Sequence, residues 1–330
     1  MEYERYDVTT CEEIVRLRRR IAAAGVPAKI PDKNLLIATW NLRAFGGLAE
    51  TFGEPDSSPK RNLRALAHIA EIIRCFDVIA LQEVRDDLTA LRKLMDWLGP
   101  DWGMIVSDVS EGAKGNRERL GFVFDLRRVK PSGLAGELVL PPLDGNPREQ
   151  FDRTPFAVSF RSGEEEFILL TVHIRFGRNE EDRKPELQQI AEWMARWSKD
   201  SKQFHRDLIV LGDFNINDRG GPLFEAFAST GLNVPPALRH LSTTTGQQPK
   251  HYDQIGWFMG QLQMGFPGRA GTVAFQDAVF RELNRTAMSF RVSDHLPLWA
   301  EFSIDRSEPR LREKLGLDAG REDPFSAVPD

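Results

Sequence analysis

The chain has 330 residues, of which 41% are hydrophobic and 28% are charged, and its formal net charge is −5. This composition is ordinary for a soluble globular protein and supplies enough apolar surface for a sizeable core. The acidic balance argues against a broad basic coat that binds nucleic acid non-specifically, although it is compatible with a local basic groove.

The two cysteines, Cys11 and Cys75, do not define a disulfide framework. Cys75 lies in an apolar run and is predicted to be a small buried hydrophobic residue. The first twenty residues are charged from the start, and no segment approaches the ~20 apolar residues of a membrane span. We therefore expect a cytoplasmic protein with no signal peptide and no transmembrane segment.

The first hundred residues alternate between helical and strand-like patterns. Residues 11–24 have helical spacing and end at Gly25 and Pro27. The predicted elements that follow are a strand at Leu35–Trp40, a helix at Leu63–Phe76, a strand at Val78–Leu81 and a helix at Leu88–Leu98.

Beyond residue 100 the pattern changes to short apolar runs separated by polar or Gly/Pro-rich turns. One long helix is predicted at Pro185–Trp197. The predicted strands are Met104–Val106, Leu120–Phe124, Phe156–Phe160, Phe167–Val172, Leu208–Leu211, Gln254–Phe258 and Leu296–Ile304. This mixture predicts an α+β protein whose helices cover the outer faces of sheets.

The chain is predicted to hold a single catalytic domain at residues 34–304, because no linker or internal repeat interrupts that range. Residues 1–33 form an N-terminal helical extension whose amphipathic stripe is expected to pack on the core. Residues 305–330 are charged and contain proline, which predicts a loosely held tail.

Polar residues directly follow or precede several of the predicted strands. Strand ends are rigid, so the side chains at such positions are held in a fixed geometry. The residues concerned are Asn41, Glu83, His173, Asp213, Asn215, Asp253, Asp294 and His295. If the strand ends converge, these carboxylates, amides and imidazoles line one cleft.

Such a set of side chains suits phosphoryl chemistry. Oxygen-rich sites favour hard cations such as Mg²⁺, for which Glu83 and Asp294 are natural ligands. Asp213 can orient or deprotonate an attacking water, and His295 can hold a phosphate oxygen as charge builds. Each residue alone also has a structural explanation as a turn former or a hydrogen-bonded histidine, so the prediction rests on the whole set.

Six segments together resemble the endonuclease/exonuclease/phosphatase superfamily. They occur in the superfamily's order and read IATWNLRAFGG (37–47), DVIALQEVRDD (77–87), TVHIRFG (171–177), IVLGDFNIND (209–218), YDQIGW (252–257) and VSDHLPL (292–298). The chain is most similar to the deoxyribonuclease I-like members, also through NRERLGFVF (116–124) and FDRTPFAVSF (151–160). The resemblance implies a four-layer α/β/β/α sandwich of two packed mixed β-sheets flanked by helices.

The resemblance also implies roles for individual residues, carried over position by position. Mg²⁺, for which Mn²⁺ can substitute, would be held by Glu83 with Asn41 and Asp294. Asp213 would orient the nucleophilic water, and Asn215 would hold a phosphate oxygen or the metal's shell. His173, braced by Glu118, and His295, braced by Asp253, would flank the scissile phosphate. The arginines expected to contact phosphates are Arg43, Arg85 and Arg153.

The chain departs from deoxyribonuclease I where that enzyme inserts a tyrosine into the DNA minor groove, because Asn116 stands at this position. The stabilising disulfide of the secreted enzyme has no counterpart. Three functions therefore stay open: a nuclease acting on DNA or RNA, a phosphoesterase for a smaller substrate, and a catalytically silent binding module. We favour an active enzyme over a silent module because the full set of reactive groups is present. Between the two enzymes, family analogy favours the nuclease, with nucleic acid as its substrate and no obligate protein partner.

Overall fold

The computed structural model describes residues 3–111, 115–140, 150–199, 207–248, 250–317 and 325. The strands are β1 (Asn34–Phe45), β2 (Val78–Arg85), β3 (Trp102–Val106), β4 (Glu118–Asp125), β5 (Lys130–Glu137), β6 (Phe156–Ser162), β7 (Glu165–His173), β8 (Asp207–Asp213), β9 (Leu232–Asn233), β10 (Asp253–Phe258), β11 (Ala270–Thr272) and β12 (Leu298–Ser303). The helices are α1 (Val8–Ala23), α2 (Leu63–Ile73), α3 (Thr89–Leu98), α4 (Lys184–Lys199), α5 (Pro222–Ala228), α6 (Arg285–Ser289) and α7 (Ser307–Leu315).

These strands form two six-stranded sheets that pack face to face. The first sheet has the order β11-β12-β1-β2-β4-β3, and the second has the order β5-β6-β7-β8-β10-β9. β1 pairs with β2 in parallel and β7 pairs with β8 in parallel, whereas the other neighbours are antiparallel. The predicted sandwich of two mixed sheets flanked by helices is confirmed.

The alternation of side chains along β1 shows how the layers are held together. Leu35 and Ile37 point into the core between the two sheets, and Leu36 and Ala38 point into the core under the helices. All four side chains are fully buried, so both faces of this central strand are covered. A strand that is buried on both faces needs a continuous apolar run, and this run is the pattern that predicts β1 from the sequence.

The N-terminal helix packs on the domain, as its amphipathic stripe predicts. Asp7 caps α1 by accepting a hydrogen bond from the Thr10 amide at 2.7 Å. Ile14 and Leu17 are buried beneath the helix, and Leu17 joins the same core as α2. The extension at residues 8–23 is therefore part of the folded unit.

Two other expectations need correction. The tail is not loose over its first part, because Ser307–Leu315 forms α7, and Arg310 pairs with Glu164 across 2.6 Å. Cys75 is only partly buried, although burial raises the pKa of its thiol to about 11. Within the described residues, no helix is long and apolar enough to cross a membrane.

Candidate active site

The predicted site residues meet at one edge of the sandwich, where both sheets present strand ends. In the first sheet, Asn41 of β1 lies beside Gln82 of β2, which places Glu83 next to it. In the second sheet, Asp213 of β8 lies between His173 of β7 and Asp253 of β10. The parallel pairs therefore bring residues that are far apart in sequence into one place.

A hydrogen bond links the two sheets across this edge. The Asn41 Nδ2 group donates to Asp213 Oδ2 at 3.0 Å and to Glu83 Oε1 at 3.0 Å. Asn41 is 1% exposed and Asp213 is 2% exposed, so this contact is shielded from water. The amide thus fixes one carboxylate of each sheet relative to the other.

His295 lies between two buried carboxylates. Its Nδ1 is 2.8 Å from Asp253 Oδ2, and its Nε2 is 3.7 Å from Asp213 Oδ2. Burial by itself would lower the pKa of His295, but the charges of Asp253 and Asp213 outweigh it and raise the pKa to about 10. The imidazole is therefore a cation at neutral pH.

His173 approaches Asp213 from the other side. Its Nε2 is 3.6 Å from Asp213 Oδ2, and its Nδ1 is 3.0 Å from Glu118 Oε2. Burial would raise the pKa of Glu118, but His173 and the neighbouring arginines lower it to about 2. Glu118 is thus an ionised carboxylate within ion-pair distance of the ring, and its bracing role stays a prediction.

Asp213 is the centre of this group. Burial would raise the pKa of Asp213, but the charges of His295 and His173 lower it. Its Oδ1 accepts a hydrogen bond from the Asn215 amide at 2.9 Å, while the Asn215 side chain donates to the Ile174 carbonyl at 2.7 Å. The result is an ionised carboxylate held between two imidazoles at the cleft.

The outer part of the cleft is more polar and wetter. Glu83 is partly exposed, and its Oε2 accepts a hydrogen bond from the Ala44 amide at 2.7 Å. Asp294 has a 43% exposed side chain and pairs with Arg43 across 3.1 Å. The oxygens of this outer region can be reached from solvent.

The sequence profile of the Endonuclease/Exonuclease/phosphatase family matches residues 38–295, which contain every residue of this cleft. The chain belongs to this family. It is 28% identical over 279 residues to Deoxyribonuclease-1 of Bos taurus, covering 80% of this chain and 91% of the relative. It is 26% identical over 282 residues to a deoxyribonuclease of Thioalkalivibrio sp., covering 82% of this chain and 71% of the relative. The family and these relatives indicate a hydrolase of the nuclease or phosphoesterase type.

Solved structures of this endonuclease/exonuclease/phosphatase family have the same fold. A mannosyl-6-phosphatase of Bacteroides thetaiotaomicron superposes with a TM-score of 0.55 at 17% identity, covering 81% of this chain and 99% of that one. A TDP2 of D. rerio in complex with a single-strand DNA product superposes with a TM-score of 0.52 at 16% identity, covering 82% and 98%. At this level of identity the superpositions support the shared fold only.

Oxygen ligands for a metal ion are available in two places in this family member. Asp213, Asp253 and His295 have ligand atoms within 4.8 Å of one another. Both nitrogens of His295 already face carboxylates, so this trio is better suited to holding a proton than a hard cation. Glu83 is partly exposed and offers carboxylate oxygens, the ligand type that Mg²⁺ prefers, and these oxygens accept hydrogen bonds from Asn41 Nδ2 and the Ala44 amide.

The three arginines expected to contact phosphates all lie at the rim of the cleft. Arg153 donates from Nε to Glu118 Oε2 at 2.7 Å and is only 8% exposed. Arg85 lies 3.7 Å from Glu118 Oε1 and donates to the Asn116 carbonyl. Arg43 pairs with Asp294, as described above. Their phosphate-binding role stays a prediction.

Two further residues support the site although the sequence suggested no role for them. The Ser293 hydroxyl donates to the Asn41 carbonyl at 2.5 Å and accepts from the His295 amide at 2.9 Å. The Tyr252 ring centroid is 5.8 Å from that of His295. Both adjoin residues with predicted roles, which is the only signal that could have found them.

Three site residues have backbone angles in the left-handed region. The φ angles are 38° at Arg43, 59° at Glu83 and 52° at Asn215. Side chains other than glycine rarely adopt this conformation, and it occurs preferentially at functional sites. At Glu83 it interrupts the pairing of β2 with β1 and β4.

Proposed function

We propose that the protein is a Mg²⁺-dependent nuclease that hydrolyses phosphodiester bonds of nucleic acid with a water nucleophile. The observation that carries this proposal is the Asp213 carboxylate, which lies 3.6 Å from His173 Nε2 and 3.7 Å from His295 Nε2. One ionised base between two imidazoles matches the needs of in-line displacement at phosphorus, with attack and departure on opposite sides.

Asp213 acts as the group that orients and deprotonates the attacking water. Its charged form is stabilised by the two imidazoles and by the hydrogen bond from Asn41 at 3.0 Å. The proton taken from water is held by Asp213 until His295 has protonated the leaving oxygen, and it then passes to the neutral His295 ring. The carboxylate is 2% exposed, and the hydrogen bonds from the Asn41 side chain and the Asn215 amide hold it in a fixed position.

His295 stabilises the phosphorane and can protonate the leaving oxygen. Its pKa of about 10 keeps it charged at neutral pH, and Asp253 holds the ring through Nδ1. His173, oriented by Glu118, offers a second donor to the non-bridging oxygens. Asn215 is placed beside them to hold another phosphate oxygen.

Glu83 is the residue best placed to hold the Mg²⁺ ion, with Asn41 and Asp294 as further ligands or partners through water. When bound, the cation would neutralise charge on the phosphate and polarise it. Mn²⁺, which also prefers oxygen ligands, is expected to substitute.

Nucleic acid is the preferred substrate because a cavity suited to a nucleotide adjoins the cleft. The cavity has a volume of about 400 Å³ and includes Arg153, Phe176 and Arg178 in its lining. Phe176 is 54% exposed, so its ring can stack on a base, and Arg178 can approach the backbone. The similarity to deoxyribonucleases points in the same direction.

The test is a substrate panel with divalent metal and EDTA controls. It contains plasmid DNA, single-stranded DNA, RNA, inositol phosphates and thymidine 5′-(p-nitrophenyl phosphate). We expect cleavage of a nucleic acid with Mg²⁺, no cleavage in EDTA, and recovery on adding Mg²⁺ or Mn²⁺. Turnover of a phosphomonoester alone would instead establish a small-substrate phosphatase, and undiminished cleavage in EDTA would contradict metal dependence.

A further inference from the structure

A second cavity, remote from the catalytic carboxylates, is lined mainly by arginine. It has a volume of about 550 Å³ and lies between α1 and the segment that precedes α6. We call it the arginine basin, after Arg16, Arg19, Arg20, Arg281 and Arg285 in its lining. Asp277 is the one carboxylate among the residues that line it in the described part of the chain.

The basin is built by two separate parts of the sequence. Arg16, Arg19 and Arg20 belong to the N-terminal extension, which precedes the family match at residues 38–295. The Arg16 Nε group donates to the Ala278 carbonyl at 3.2 Å, and Glu13 accepts from the Phe280 amide at 2.6 Å. These contacts hold the helix against the segment, so the basin is preformed.

Much of the basin's positive charge is not neutralised by the protein. Arg16 lies 3.7 Å from Glu12 and 3.9 Å from Glu13, and Arg285 lies 3.5 Å from Asp277. For Arg19, Arg20 and Arg281, all exposed, the described residues provide no carboxylate within ion-pair distance. Since like charges four residues apart destabilise a helix, the Arg16 and Arg20 pair favours an anion.

The basin also connects to the catalytic cleft. A neighbouring cavity of about 790 Å³ shares Asn284 and Arg285 with the basin and extends to Phe290. The Phe290 ring lies 3.9 Å from the guanidinium carbon of Arg43, which pairs with Asp294. A path of neighbouring residues therefore leads from the extension along both cavities to Arg43.

A hydrogen-bond chain fixes this connection. Arg285 Nη1 donates to the Thr245 carbonyl at 2.8 Å, and the Thr245 amide donates to the Asp294 carbonyl at 2.8 Å. These hydrogen bonds fix the position of Arg285 in the basin relative to Asp294 in the cleft. An extended polyanion whose scissile phosphate lies at Asp213 has a path to the basin.

From these observations we infer that the arginine basin binds the phosphate backbone of the nucleic-acid strand, beyond the scissile phosphate. This inference rests on the proposed nuclease function. Guanidinium groups match phosphate geometry, and each neutralised phosphate releases counterions. The N-terminal extension therefore contributes affinity for long strands, although the chain as a whole has a net charge of −5.

The test compares two double variants with the same change in charge. Arg19→Gln with Arg281→Gln removes two charges from the basin. The control, Lys130→Gln with Arg161→Gln, also removes two exposed positive charges. Lys130 of β5 is the register partner of Arg161 of β6, and Arg161 also faces Glu166 of β7. These control residues lie at the end of the sheet away from His173. Binding of a fluorescent 30-nucleotide single strand is measured in EDTA over a range of salt, and KM is measured with Mg²⁺.

The basin variant should bind the 30-nucleotide strand about tenfold more weakly, with a salt slope smaller by about 1.4, and its KM should rise in parallel. Hydrolysis of thymidine 5′-(p-nitrophenyl phosphate), which is too short to reach the basin, should stay within about twofold of the parent and so report correct folding. Equal affinity and equal salt slopes in the two double variants would overturn the inference.

Two further outcomes separate the inference from the function on which it rests. If the parent binds the strand but cleaves no substrate of the panel, and the basin variant binds the strand more weakly than the control variant, the nuclease proposal fails while strand binding at the basin is supported. A second comparison uses polyglutamate of matched charge. If the parent binds it as tightly as the strand and the basin variant loses this binding, an acidic polypeptide is the ligand and the inference is overturned.

Discussion

Two buried histidines of this protein make the same first contact and have opposite electrostatics. His68 Nε2 lies 2.8 Å from Glu13 Oε2, and His295 Nδ1 lies 2.8 Å from Asp253 Oδ2. His68 is fully buried on α2, and His295 is 7% exposed at the cleft. A carboxylate–imidazole pair alone therefore does not identify a catalytic group.

A further charged group near each histidine accounts for the difference between their pKa values. Burial lowers the pKa of His68, and the Arg64 guanidinium, which donates to the same Glu13 carboxylate at 2.7 Å, also disfavours its charged form. At His295 this further group is the Asp213 carboxylate, and the pKa rises to about 10. The neutral histidine supports the fold, whereas the charged one faces the cleft.

The largest expected effect is on kcat and follows from removing His295, the histidine at the cleft. His295→Ala should lower kcat by at least about 100-fold, since it removes the group that stabilises and protonates the reacting phosphate. His68→Gln is the matched control and should keep kcat within about twofold in its folded fraction. Steady-state kinetics on the best substrate of the panel measures both, and retained turnover in His295→Ala would refute the assigned role.

The second prediction concerns Glu13, the carboxylate partner of the buried His68. Glu13→Gln should lower the free energy of unfolding by about 2 kcal/mol at pH 7, because Arg64 and His68 lose their charged partner. The pKa of Glu13 is lowered from 4.5 to about 2, so its stabilisation is complete above pH 4.5 and is lost as pH falls through about 2.

The difference between parent and Glu13→Gln should accordingly narrow below pH 4.5. Urea unfolding at several pH values measures it, with Glu12→Gln as a control because the Glu12 side chain is 64% exposed. A pH-independent difference would show that packing, rather than charge, accounts for the effect.

The third prediction tests whether the solvent-exposed outer part of the cleft, rather than the group of buried histidines, holds the metal ion. Glu83→Gln should raise the Mg²⁺ concentration for half-maximal activity by about tenfold or more, because a charged ligand becomes neutral. The exposed residue Glu50 provides the control Glu50→Gln. A metal titration that matches the parent would mean that Glu83 is not a ligand.

The smallest expected effect concerns the cavity beside Arg153. Phe176→Ala should raise KM for single-stranded DNA about fivefold, through loss of stacking on a base. Hydrolysis of bis(p-nitrophenyl) phosphate, which carries no base, should change less. Met259→Ala removes a side chain that is 71% exposed and serves as the control. Equal KM values for both variants would exclude the stacking role.

Sequence patterns located most of the fold and the site because buried strands of this protein end in reactive side chains. β1, β2, β7 and β8 are continuous apolar runs, and each leads into residues that the structure brings together. By contrast, β5 has the sequence KPSGLAGE and five of its eight residues are exposed, so no apolar run predicts it. The elements α5, β9, β11 and α6 have two to seven residues and are too short for a periodic pattern to predict.

Long-range polar contacts outside the family motifs could not be predicted. Glu13 lies on a helix rich in charged residues, and its partners Arg64 and His68 are 51 and 55 positions away in the chain. The approach of α1 to the segment around Arg281 likewise depends on tertiary packing. The tail was predicted to be loose from its charge and proline content, yet the helix of 307–315 forms and pairs with the second sheet's turn at Glu164.

The left-handed backbone at Glu83 and Asn215 has a consequence for how this protein can change. Each such residue costs on the order of 1 kcal/mol relative to a relaxed conformation. Glycine would remove that cost and also remove the side chain that the geometry exists to aim. Selection for heat resistance alone would therefore favour glycine at these two places, and under the proposed function the gain in stability would come with a loss of activity.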